Sequence, residues 1–150
     1  MIPTIKKSKN QRSDSGNVIA EAALILPIFL AILFFIIEFG IVLSLGNNLN
    51  QIARSAARYA SVTASYTQND LLNVSMASSL VPDISKLTLT ITPAIGSSKS
   101  VGSAITVSTQ YNYTPIFNPY SLLFLSMSTN TWAPTIMSSS VARAEVASAS

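Results

Sequence analysis

The alternation of apolar and polar positions divides the chain into one long apolar stretch, one stretch of helical period and two of period two. The apolar stretch is unbroken from Ala22 to Ile37 and resumes after Glu38 as Phe39–Leu45, 24 residues in all. A helix needs about 20 apolar residues to cross a bilayer, so a transmembrane helix is predicted over residues 17–45. Leu45, Leu49, Ile52, Ala56, Tyr59 and Thr63 then recur at steps of four and three, the signature of an amphipathic helix. The helix is expected to continue over about 46–65 with this stripe against the protein's own core. Asn47 and Asn48, after Gly46, mark a soft point where it would bend on leaving the bilayer.

The remaining pattern belongs to a sheet. Leu87, Leu89 and Ile91 alternate with Lys86, Thr88, Thr90 and Thr92, and Ile105, Val107, Tyr111 and Tyr113 alternate within Ala104–Tyr113. Both runs read as strands with one buried face. Pro93 and Gly96-Ser97-Ser98 between them mark the turn of a hairpin. A short helix is predicted over Asp70–Ala77, ended before Pro82, and a last strand over about Thr135–Glu145, giving a sheet over about 86–145. Between them lies a loop with Pro115 and Pro119, then the apolar Leu122–Leu125, which either covers the sheet or forms a patch for a neighbour. The tail Val146–Ser150 shows no anchoring pattern. The fold class is α+β: a long N-terminal helix, transmembrane then amphipathic, packed on a small antiparallel sheet.

Charge changes the picture at the N-terminus. The chain carries nine Lys and Arg against six Asp and Glu. Lys6, Lys7, Lys9, Arg12 and Asp14 fall in residues 1–16, and setting these aside leaves five basic and five acidic residues. The basic excess therefore belongs to the N-terminal segment, which it holds in the cytoplasm by the positive-inside rule. With no basic face beyond that segment, a nucleic-acid partner is not expected. Cysteine and histidine are absent, which excludes disulfides and thiolate or imidazole metal sites. The acids form no acid/base couple, no glycine-rich phosphate loop occurs, and the lysines have no supporting constellation, so neither an enzyme nor a cofactor is expected.

Four groups in the helix carry candidate chemistry. Glu21 stands at the lip of the apolar segment, where an acid is tolerated near the interface or beside a cation. Glu38, 17 residues on, lies about 25 Å further along a helix. It either reaches water at the outer interface or makes a buried contact with a partner helix. Pro27 crowds the carbonyl of Ala23 and is either a tolerated kink or a weak point where the helix bends on leaving the bilayer. Arg54 and Arg58, four apart on one face, form a solvated surface or a contact between subunits.

Gly16, four residues and then Glu21, followed by Ala22-Ala23-Leu24-Ile25-Leu26-Pro27, resembles the processing site of type IV prepilins and pseudopilins. With Ile37-Glu38-Phe39-Gly40, Ala53–Ala60 and Ser139–Glu145 in the same order, the chain resembles the TadE-like pseudopilins of tight-adherence (Flp) pilus systems. The resemblance implies a pilin-like fold, a basic leader over residues 1–16 removed by a prepilin peptidase, and an extracytoplasmic domain over 46–150. It implies a minor pseudopilin or assembly factor of adhesive pili, single-pass in the inner membrane with its N-terminus in the cytoplasm. Membrane lipid, other pilins and pilus assembly proteins would be its partners. Cleavage after Gly16 would place a free amine on Asn17 one turn from Glu21. Glu38, Arg54 and Arg58 are the candidate subunit contacts. Three alternatives stand beside this reading: a cleaved secretory signal, which the length and acids of the segment disfavour, a plain signal anchor, and an anchored periplasmic or extracellular binding module.

Overall fold

The computed structural model describes residues 12–116 and 133–148. A single helix, α1, runs from Arg12 to Val62, about 75 Å at 1.5 Å per residue. Its first half carries exposed apolar side chains, and its second half packs on a three-stranded antiparallel sheet, β1 (Leu87–Thr92), β2 (Ala104–Asn112) and β3 (Thr135–Arg143), in the order β1-β2-β3. Two short helices, α2 (Gln68–Val74) and α3 (Ala77–Leu80), lie between α1 and the sheet in sequence and pack on α1. This is the predicted α+β architecture.

The periodicities settle how the layers meet. Leu45, Leu49, Ile52 and Ala56 of α1 are buried, as the stripe required, whereas its last members Tyr59 and Thr63 are half-buried, and Ala53, Ala57 and Ala60 complete the buried face instead. Alanines there let the helix approach the sheet closely. From the sheet, Leu89, Ile91, Ile105, Val107 and Tyr111 supply the opposite side of the core. Thr109 falls in the same alternation and is also buried. Its hydroxyl reaches the Leu49 and Ser138 carbonyls, each at 3.3 Å, so the one polar side chain in the inward row of β2 is satisfied. The register Leu89↔Thr109 and Ile91↔Val107, with Thr109↔Ser138 on the other side, keeps the apolar row on one face. A one-residue slip would turn it to solvent.

Two local expectations are corrected. At Asn47-Asn48 α1 is uninterrupted, and there Asn48 donates to the Leu80 carbonyl at 2.8 Å and Asn50 accepts from Ser138 Oγ at 2.6 Å. Those bonds fasten that turn to α3 and β3. The helix predicted over 70–77 is two, separated at Met76, whose backbone is left-handed at φ 53° and ψ 34°. Thr67 and Asp70 form a capping box at the start of α2, each side chain bonded to the other's backbone. The tail is anchored at least as far as Ser148, which exchanges two hydrogen bonds with the Lys99 backbone, each at 3.1 Å. Pro119 and the apolar run Leu122–Leu125 lie outside the described residues.

Two α1 residues two apart separate core from surface. Ile52→Ala is expected to cost about 2–5 kcal/mol by opening a cavity, and Arg54→Ala to stay within about 0.5 kcal/mol. Denaturant unfolding of the detergent-solubilised protein, followed by circular dichroism, measures both.

Candidate functional site

The candidate site is the long helix itself: its exposed apolar surface and the polar anchors that fix the sheet domain to it. From Val18 to Leu43 the helix presents large apolar side chains to the outside, among them Ile25, Phe29, Ile32, Ile36 and Phe39. The helix is long and apolar enough to cross a membrane. Soluble helices bury such a surface; this one leaves it free, the arrangement lipid requires. Gly16, Asn17 and Glu21 are exposed at its start, and a Cβ built on Gly16 meets nothing within 4 Å. The Gly16–Asn17 bond is inside α1. Pro27 lies inside α1, which continues through it with one backbone donor fewer.

Glu38 is the first polar anchor. It is 2% exposed, so it does not reach water. Its Oε1 accepts the Tyr113 hydroxyl at 2.5 Å and the Ile116 amide at 3.1 Å. Oε2 is buried and has no hydrogen-bond partner among the described residues. The acid that the sequence placed at water or against a partner helix is therefore held by the chain's own sheet domain. Tyr113 ends the inward-facing alternation of β2, one residue past the strand, and this is why its ring turns to the helix. Burial raises its hydroxyl well above the ordinary 10.0, and the hydrogen bond to Glu38 raises it further. The pairing was hidden in the sequence because 75 residues separate the partners. The clue was an acid at a helix position where an inward-facing tyrosine had no partner of its own.

Lys99 is the second anchor, at the far end of α1, and sequence reading missed it. The last turn of α1 contains no basic residue, although a helix C-terminus leaves carbonyls unpaired and carries partial negative charge. Lys99, from the β1–β2 loop, supplies the cation. Its buried ammonium donates to the Ala60 carbonyl at 2.7 Å and to that of Thr63, and lies 5.1 Å from the centre of the Tyr66 ring. The Ser61 carbonyl accepts from the Glu145 and Val146 amides at 2.8 and 3.3 Å. Burial lowers the Lys99 ammonium below its ordinary value and raises the Tyr66 phenol. A concavity of about 480 Å³ opens beside them, lined by Tyr66, Ile95, Ser97 and Ser98 among others. At its base the lysine faces helix carbonyls, so the cation is taken up by capping. Arg54 and Arg58 are exposed on the side of α1 away from the sheet, between the two anchors.

Residues 16–58 match the family model described as TadE-like protein. The match begins at Gly16 and takes in Glu21, Glu38, Arg54 and Arg58. It bears out, over that stretch, the likeness read from the sequence. No curated protein and no solved structure matches the chain.

Tyr113→Phe removes one of the two donors to a buried carboxylate and is expected to cost about 1–3 kcal/mol. The pH dependence has a defined sign. A phenol whose folded-state value is raised contributes stability that is complete below its unfolded value and lost as pH climbs toward the folded one. The unfolding temperature is thus expected to fall above pH 10.0, and Y113F to lose that part of the slope, by circular dichroism between neutral and alkaline pH. Lys99→Met leaves the Ala60 and Thr63 carbonyls without their cation and is expected to cost about 1–3 kcal/mol in the same measurement.

Proposed function

We propose that this chain is a minor pseudopilin or assembly factor of Flp/Tad-type adhesive pili, processed after Gly16 by a prepilin peptidase and acting structurally through α1. The observation that carries the reading is the TadE-like match over residues 16–58, which opens on the glycine of the processing motif. The exposed apolar surface from Val18 to Leu43 supports a single-pass anchor. The leader's lysines and arginine orient it with the N-terminus in the cytoplasm of an inner membrane.

The chemistry at the site fits such processing. Hydrolysis of the Gly16–Asn17 bond adds water across it, leaving a carboxylate on Gly16 and an ammonium on Asn17. The bond lies in helix, so a peptidase needs that turn opened. Glycine lowers the cost, being about 1 kcal/mol less favourable than alanine in a helix. Among the described residues, no side chain crowds Gly16. In the shortened helix the new ammonium sits at the positive end of the dipole, an unfavourable place. Glu21, four residues on and exposed, offsets it as an i,i+4 partner and as an acid in the first turn. The same carboxylate also offers a partner to the amine of a neighbouring subunit. Arg54 and Arg58, exposed beyond the membrane, are available to acidic groups of adjoining pilins.

Intact mass and N-terminal sequencing of the membrane-extracted protein, from cells with and without the peptidase, test the processing. The expected product starts at Asn17 only when the peptidase is present, and Gly16→Leu abolishes it. A chain still starting at Met1 in both cells leaves a plain anchored module. In cells that make the pili, Glu21→Ala is expected to reduce piliation, whereas a tethered binding module would tolerate exchange of its whole anchor.

A further inference from the structure

We propose that the end of the sheet domain around Ile116 and Lys86 rests in the outer interface of the phospholipid bilayer, so that the domain is seated on the membrane as well as tethered to it. The inference rests on the membrane-spanning reading of α1. Its starting point is depth. Large exposed apolar side chains continue along α1 to Leu43, five residues beyond Glu38 and so about 7.5 Å further out along the axis. Helical side chains lean toward the N-terminus of their helix, which brings the Glu38 carboxylate level with its own turn or deeper.

The Ile116 amide is 3.1 Å from that carboxylate. Ile116 therefore stands at a level where the helix surface is still apolar, and its own side chain is 66% exposed. Neighbouring polar groups are graded in the matching sense. Two residues earlier, the Thr114 hydroxyl accepts the Lys86 ammonium at 3.0 Å, which places a cation where phosphates lie when Ile116 is at the acyl boundary. The exposed apolar length agrees as well. From Val18 to Leu43 it amounts to about 38 Å, more than a hydrocarbon core of about 30 Å and less than a whole bilayer of about 40–45 Å. The outermost turns of that surface, with Ile116 beside them, thus belong to the headgroup layer. At that depth Glu38 has little water to accept from, which accounts for its burial under Tyr113 and Ile116.

The absence of cysteine makes single-cysteine labelling direct. Ile116→Cys, Ser97→Cys in the distal turn and Ile32→Cys within the span would each carry an environment-sensitive dye in the full chain. The chain is reconstituted in vesicles of zwitterionic and anionic phospholipid, with nitroxide near the top of the acyl chains or iodide in the water. The I116C dye is expected to be quenched by the lipid nitroxide several-fold more than the S97C dye, and by iodide several-fold less. Iodide quenching of I116C equal to that of S97C overturns the proposal, since the domain then stands clear of the surface. Shielding of I116C from both quenchers also overturns it and identifies a protein cover, such as a second copy. An I32C dye that iodide quenches as strongly as the S97C dye would overturn the spanning reading itself. Thr114→Cys, at a neighbouring exposed position, repeats the measurement if I116C disturbs the fold, with the same expected and contrary results.

Discussion

A carboxylate buried against an otherwise apolar helix governs how this molecule is arranged. Glu38 interrupts an apolar helix where its outer surface is still apolar, and burying an ionisable group without hydrogen bonds is costly. The chain meets that constraint by bringing Tyr113 and the Ile116 amide onto one of its oxygens. Because Tyr113 closes the inward row of β2, the bond fixes the depth at which the whole sheet meets the helix. Tyr111, Val107 and Ile105 share one buried cluster with Leu45, Leu49, Ile52 and Ala56, and β2 runs antiparallel to α1, from Tyr113 at Glu38 to Thr109 at Leu49.

The opposite end of the same helix is fixed by the complementary charge. Lys99 answers the unpaired carbonyls of the last turn, about 35 Å from Glu38 along the axis. An acid near the bilayer and a cation at the far end thus hold one sheet against half of one helix, with Thr109, Asn48 and Asn50 as smaller ties between them. The other half of α1 is left bare for lipid or for other helices. This division suits a subunit whose helix must serve both a membrane and an assembly: the sheet domain is bonded to α1 at both ends of its second half, and Arg54 and Arg58 face outward from it.

Much of this was legible in the sequence, and the reasons are physical. Period-two and period-3.6 patterns report which face is buried, so β1, β2 and most of the stripe of α1 were readable with their inner residues, while β3, none of whose residues is fully buried, was readable only as an element. The motif from Gly16 through the second helical half carried the family likeness that the comparison bears out over 16–58. What escaped was pairing across distance. Glu38 with Tyr113, Lys99 with the end of α1, and the anchored tail at Ser148 each join residues far apart in sequence, and no local period encodes them. Asn48 belongs with these: its bond to the Leu80 carbonyl spans 32 residues and has no local signal. The Thr67–Asp70 capping box was local and could have been read.

The most direct measurement of this account is hydrogen exchange at the Ile116 amide, read by nuclear magnetic resonance on the full chain in lipid nanodiscs. An amide held by a buried carboxylate opens only with the domain, so its exchange should track that of the core strands. Glu38→Ala should then release it, at a rate near that of the exposed Gly96 loop. An Ile116 amide that already exchanges as fast as that loop in the unmodified protein would contradict the claim that Glu38 sets where the sheet meets the helix.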